Sequence, residues 1–247
     1  MKRYLYFALL LTCVAAVSCS GDDDPQPVNP QPGQSKRLTK ISYTLDSRDV
    51  YYRVYTYDSK DRVSHYKYVD TELKTKVLSD FDITYDKDTI CWGPYTKLYL
   101  HNSMVDSIAE NVHDKNSPGK FKWEVKYRFW YKNGYLAEFE DAGMNPCRYR
   151  FVYDENNLLT QAYVENDPRP YKYTYTNIKN KNGFLSWGLI GSYFSEYACY
   201  PELFGKSSAY VPMTYQEYFM VSPTGYEHEY DGNGNVIRTN NYYFTYE

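Results

Sequence analysis

The chain has 247 residues, with 28 Lys and Arg against 31 Asp and Glu and a net charge of −3. That balance excludes a phosphate-backbone binder, whose affinity comes from clustered cations that release counterions. Aromatic residues make up 19% and tyrosine alone accounts for 32 positions, yet the mean hydropathy is −0.71, because tyrosine joins a large apolar body to a polar tip.

Taken in chain order, Lys2 and Arg3 form a basic start and Tyr4 to Val17 a short apolar run. At about 1.5 Å per residue, a helix of that length does not cross roughly 30 Å of hydrocarbon. Residues 1–18 therefore read as a secretory signal that is cut off. The small residues Ala16, Val17 and Ser18 lead into Cys19, and this stretch resembles the lipobox of bacterial lipoproteins, with Ala16 where leucine is usual. The resemblance implies that Cys19 becomes the N-terminal residue and carries the lipid. The following Ser20-Gly21-Asp22-Asp23-Asp24 resembles the acidic export tag of Bacteroidetes lipoproteins. It implies a lipid-anchored protein of the outer membrane that faces the cell exterior. Loss of Lys2 and Arg3 with the signal leaves 26 basic against 31 acidic residues, about −5. Residues 19–35 hold the lipidated cysteine and an acidic, Pro-rich spacer that cannot bury a core. Residues 36–247 are expected to form a single all-β domain.

Within that domain, tyrosines fall at alternate positions and then meet a turn, again and again. The clearest copies are 55–63, 127–136, 149–159 and 226–237, with weaker ones at 81–90, 98–105 and 171–180. Tyr127, Phe129 and Tyr131 share one strand face, as do Tyr149, Phe151 and Tyr153, and Tyr171, Tyr173 and Tyr175. The period is two, so these are strands. Asp, Asn, Gly and Lys follow the last tyrosine because they bond their own backbone or tolerate positive φ, and Val63, Leu136, Leu158 or Val236 opens the return. Tyr131, Tyr153 and Tyr175 lie 22 residues apart, the step of one hairpin and its connection. Residues 183–225 break this rhythm with Pro201, Pro212, Pro223 and several glycines. They predict a short helical or irregular insertion near 189–204, a loop, and a strand from Met213 to Val221.

Tyr57-Asp58 with Val63, Tyr153-Asp154 with Leu158, and Tyr230-Asp231-Gly232-Asn233-Gly234-Asn235-Val236 resemble a family of Bacteroidetes surface lipoproteins of unknown function. These share tyrosine-aspartate hairpins similar to the repeats of Rhs-type shells. Leu203 to Ser208 with Val211-Pro212 also resembles a segment that precedes the last hairpins there. The resemblance covers most of the mature domain and implies a porin-like fold, an antiparallel up-and-down meander of hairpins curled into a barrel or half-barrel. It carries no catalytic residue. A bilayer-embedded barrel needs an apolar outer band, whereas Lys67, Arg128, Glu138, Arg150, Lys172 and Glu229 occupy the alternate positions. The expectation is a tethered barrel outside the bilayer.

Few residues suggest chemistry. Asp231, Asn233 and Asn235 alternate like the start of a calcium loop, but Val236 and Tyr242 stand where such a loop needs Gly and Glu, and a hairpin turn explains them. His65, His101, His113 and His228 are scattered, and His228 between Tyr226 and Tyr230 reads as packing. Cys91, Cys147 and Cys199 are an odd number; one bridge with a spare thiol and three thiols packed as small hydrophobes both fit. Glu138 with Glu140 could flank a glycosidic bond, though acidic residues are common on solvated strand faces. No cofactor or metal is expected. Trp92, Trp123, Trp130 and Trp187 are the candidate ligand-binding residues, since their rings stack on sugar faces, and Trp130 points away from the stripe of Phe129 and Tyr131. The reading is a non-catalytic surface lipoprotein that binds a glycan or other cell-surface ligand. The alternative is a structural or assembly subunit of an envelope protein complex that meets its partners through sheet edges. A third is a hydrolase using Glu196 and Glu202 of the insertion.

Overall fold

A computed structural model describes residues 37–247, apart from 47, 73–75, 115–116, 118, 144–145, 182, 184–194 and 217–219. Its seventeen strands are β1 (Leu38–Leu45), β2 (Arg48–Tyr57), β3 (Val63–Asp70), β4 (Lys76–Asp86), β5 (Thr89–Trp92), β6 (Thr96–His101), β7 (Met104–His113), β8 (Phe121–Lys132) and β9 (Tyr135–Asp141). They continue as β10 (Cys147–Tyr153), β11 (Leu159–Val164), β12 (Tyr171–Lys179), β13 (Tyr210–Gln216), β14 (Thr224–Gly225), β15 (His228–Tyr230), β16 (Val236–Thr239) and β17 (Tyr242–Tyr246). The all-β up-and-down meander expected from the repeats is the observed fold.

Strands pair antiparallel with their chain neighbours, and β17 returns to β1 with Ile41 opposite Phe244. The sheet is not closed. β14 pairs with β13 and β15 with β16, and the chain itself carries the step between them through Tyr226 and Glu227. His228 stitches this seam. Its Nε2 donates to the Pro212 carbonyl at 2.6 Å, and its Nδ1 accepts from the Thr239 hydroxyl at 2.9 Å. Burial holds its pKa below the usual imidazole range, in keeping with a neutral ring.

The Tyr-Asp hairpins share one turn chemistry. In each, an aspartate Oδ1 accepts two backbone N–H groups: Asp58 from Lys60 and Arg62, Asp154 from Asn156 and Leu158, Asp231 from Asn233 and Asn235, all at 2.8–3.0 Å. Asp61, Asn157 and Gly234 supply the positive φ, 63°, 59° and 80°, that lets the chain return. Tyrosines reach sideways from the strands, and Tyr57, Tyr131, Tyr153 and Tyr175 among them sit at a bulge. Tyr57, Tyr85, Tyr131, Tyr153, Tyr175 and Tyr246 donate to the carbonyls of Leu38, Val63, Val105, Leu136, Leu159 and Val236, at 2.8–3.1 Å. Each acceptor lies at or near the start of the strand before. Six such clasps tie neighbouring strands along one rim. The β6–β7 hairpin has the same bulge but carries Leu100 in the tyrosine place.

Within the 183–225 insertion, the described residues 195–208 form an interior plug. It holds two 3-10 turns, Ser195–Tyr197 and Pro201–Phe204, which bury Tyr197, Tyr200, Leu203 and Phe204 among the inward faces of the strands. Phe204 meets Phe129 edge-on at 5.5 Å and Tyr197 meets Trp92 at 5.0 Å. The Tyr200 hydroxyl accepts from the Val63 N–H and contacts the Tyr85 hydroxyl at 2.7 Å. Lys206 N–H donates to the Gly134 carbonyl at 2.7 Å, and the Leu159 N–H donates to Ser208 Oγ at 3.3 Å. Gly205 passes so close to the β8–β9 turn that a Cβ there would sit 2.8 Å from the Gly134 carbonyl, at a φ of 93°. The return strand is displaced from the expected 213–221. It starts at Tyr210, because Pro212 is accommodated at a register shift opposite Tyr175.

Candidate functional site

Two surfaces could meet a ligand: the inward face around the plug and the outer face of the sheet. On the inward face the plug brings three acidic or thiol groups into apolar surroundings. Glu202 is pushed up to about 7 by burial, Glu196 is raised by the same cause, and the Cys199 thiol is held well above its usual range. Arg53 lies on this inner face between the rings of Tyr51 and Tyr68, at 5.5 and 5.2 Å from their centroids. Burial in the plug thus favours the neutral form of both Glu196 and Glu202 relative to an exposed carboxyl. Cys91, Cys147 and Cys199 are all free thiols.

The outer face is mostly zipped by ion pairs. Arg128 meets Glu140 at 3.1 Å and Arg148 meets Glu138 at 2.6 Å, so the carboxylates that could flank a glycosidic bond are engaged across strands. His65 lies between Asp80 and Asp82 at 2.8 Å from each, and Lys67 shares Asp80 at 3.0 Å. Among the described residues, no group of three His, Cys, Asp or Glu side chains is placed to hold a metal. Asp231, considered as a calcium ligand, spends both carboxylate oxygens on its own turn.

The sequence-predicted tryptophans separate. Trp92 is 2% exposed and belongs to the core beside Tyr66 and Tyr197. Trp123 and Trp130 stand on the outer face of β8, 38% and 37% exposed. Trp187 and Cys19 lie outside the described residues. Each outward tryptophan has a cation over its ring, but the two cations differ. Arg148, 4.5 Å from the Trp130 centroid, is committed to Glu138. Lys97, 4.4 Å from the Trp123 centroid, makes no ion pair among the described residues.

The surroundings of Trp123 were not evident from periodicity. Ile108 pairs with Tyr127 but Ala109 pairs with Val125, so Lys126 is an extra residue in β8. The bulge reverses the alternation. Tyr127 and Phe129 point inward, whereas Val125, Trp123 and Phe121 point outward, and Glu124 turns in to meet Lys126 at 2.7 Å. Cross-strand pairing then sets Lys97 beside Ala109, Asn111 beside Trp123 and His113 beside Phe121 on one outer face. Phe121 is 55% exposed and its ring lies 4.2 Å from that of His113. Tyr95, 65% exposed, is joined through its carbonyl to the Asn111 N–H at 2.8 Å. The signal that could have found this cluster is the Phe-x-Trp-x-Val alternation, read with its register broken before Tyr127.

The two ends of the meander are also distinct. Arg37 exchanges backbone hydrogen bonds with Glu247 and pairs with Asp61 of the first Tyr-Asp turn. The chain therefore enters and leaves at the clasped, plugged rim. Phe121, Trp123 and Tyr95 lie toward the other rim, about 30 Å away along β8.

The fold is similar to that of two solved bacterial proteins. One is a porin-like protein from Bacteroides uniformis, at 16% identity and a TM-score of 0.61, with 85% of this chain and 96% of that one covered. The other is a porin-like protein from Bacteroides vulgatus, at 11% identity and a TM-score of 0.54, with 86% of this chain and 99% of that one covered. The likeness establishes the antiparallel, porin-like fold. No family profile matches the sequence, and no curated protein matches it.

Proposed function

We propose that this chain is a lipoprotein anchored through Cys19 in the outer membrane, exposed to the cell exterior, and that it binds a glycan or other cell-surface ligand without catalysis. The observation that carries the reading is the polarity of the domain. Arg37, the first described residue, stands at the plugged rim, so a spacer of residues 19–35 would join the domain there, and large rings stand exposed toward the rim opposite. A tether at one end leaves the other for recognition. The ion-paired outer wall supports a domain held outside the bilayer, since lipid-facing strands need an apolar band. Non-catalytic action is supported by the engagement of Glu138 and Glu140 with arginines. The assembly-subunit alternative relies on free sheet edges; β1 is covered by β17, and the edges at the open seam are the short strands β14 and β15.

Three measurements test the reading. Protease shaving of intact cells should degrade the wild-type domain, and Cys19→Ala should release it from the membrane fraction; a fully protected domain would sink the address. A glycan array probed with the purified lipoprotein should give binding above background, and a blank array would remove the ligand class.

A further inference from the structure

We infer that the Lys97–Trp123 face of β6–β8 is a binding site for saccharides that carry a carboxylate. The inference deepens the glycan reading above and rests on it. Its basis is an asymmetry within one protein surface. On the outer face Arg128 has Glu140, Arg148 has Glu138 and Lys67 has Asp80 as carboxylate partners, whereas Lys97, like Arg150 and Lys172, makes no ion pair among the described residues, and Lys97 stands over the exposed Trp123 ring. Among the described residues, the face made by Lys97, Ala109, Asn111, His113, Phe121 and Trp123 carries no carboxylate in its cross-strand pairs. It holds an ammonium without an ion pair among the described residues, an imidazole, an amide and two exposed rings.

Those groups match the surfaces of an acidic sugar. Ring faces take up the apolar CH face of a pyranose, and Asn111 offers both donor and acceptor to hydroxyls. Lys97 offers three donors and a positive charge to a carboxylate. Phe121 and Trp123 are two residues apart on one strand face, about 7 Å along β8, so neighbouring sugar units of one chain can each meet a ring. The bulge at Lys126 is what makes the face: it turns Trp123 outward while folding the acidic Glu124 inward onto Lys126 at 2.7 Å. A neutral glycan would leave the Lys97 charge unused, and a cationic partner would meet it unfavourably.

The test uses the full lipoprotein in detergent micelles on an array of uronic- and sialic-acid glycans, each printed beside its carboxyl-reduced counterpart. Acidic members should bind more tightly than their reduced partners at low ionic strength, and the preference should fade with salt. Lys97→Met should weaken the acidic members by about fivefold, the scale of one exposed ion pair, and leave the reduced ones unchanged. Trp123→Ala should weaken both by about tenfold or more, while Trp123→Phe should retain part of the binding and Trp130→Ala should change neither. An unaltered melting temperature in each variant shows that the fold is intact. Equal binding of acidic and reduced glycans, or binding indifferent to Trp123→Ala, would overturn this site and leave the glycan reading standing. A blank array would overturn both.

Discussion

The clasped rim and the opposite rim are built from the same hairpins but by different rules. At the clasped rim the same devices recur: an aspartate caps the turns after Tyr57, Tyr153 and Tyr230, tyrosines such as Tyr131 and Tyr153 reach to the carbonyl of the strand before, and the plug fills the space inside. At the opposite rim the described residues repeat no such device, and the exposed Leu45, Val77, Tyr95 and Phe121 stand there. The difference teaches what tyrosine abundance is for. A hydroxyl at the end of a six-membered ring can span from one strand to the backbone of the next while its ring fills the core, a task no aliphatic side chain performs. The Tyr-Asp repeat is therefore a stability device confined to one end, which leaves the other end free to differ in chemistry.

The sharpest way to break that asymmetry is to empty the plug. Phe204 is 1% exposed and packs on Phe129 and Tyr197, so Phe204→Ala should cost about 3–5 kcal/mol in urea unfolding. A loss under about 1 kcal/mol would mean that the plug does not brace the clasped rim.

A second effect is electrostatic and belongs to the same end. Burial raises Glu202 from 4.5 to about 7. Between those pH values the unfolded chain has released a proton that the folded chain retains, so stability is highest below the unfolded pKa and falls as pH rises through the window. The fall should be on the order of 1–3 kcal/mol, because the residue keeps some exposure. Glu202→Gln should flatten the profile from pH 4.5 to 7 and stabilise the protein above it; an unchanged profile would place the carboxylate in water.

Single clasps matter less. Tyr131→Phe keeps the ring but strips the Val105 carbonyl of its donor, which should cost about 1 kcal/mol. Tyr99→Phe, one residue from the Leu100 that stands in the clasp position of β6, should be close to neutral by comparison. Equal costs at both sites would show that the hydroxyl bonds are incidental to the collar.

The same contrast explains what could be read from residues alone. Period-two tyrosines and Asp-rich turns are local signals, so the hairpins at Tyr57, Tyr131, Tyr153 and Tyr230 and the up-and-down order were legible, as was the outward aim of Trp130. Neither the return of β17 to β1 nor the folding of residues 195–204 into the interior has a local signature, because both depend on contacts far along the chain. Trp92 and Trp123 show the limit most plainly. Both are tryptophans in alternating strands, yet the inward side of β5 buries one and a single extra residue, Lys126, exposes the other. Register, not residue type, separates a core ring from a surface ring.

The smallest expected effect lies at the opposite rim and tests the comparison from its other side. Trp123 rests on the sheet under Lys97, with its indole 38% exposed, so truncation to Ala removes one exposed cation–π contact and a modest apolar area. That should cost less than about 1 kcal/mol. Trp92→Ala, by contrast, removes a ring held between Tyr66 and Tyr197 and should cost about 3–5 kcal/mol. If thermal or urea unfolding found Trp123→Ala as damaging as Trp92→Ala, the outer ring would be part of the fold's support and its exposure would lose its functional meaning. If the two differ as expected, Trp123 is a surface ring that the fold does not need for its stability, which is what the proposed site requires of it.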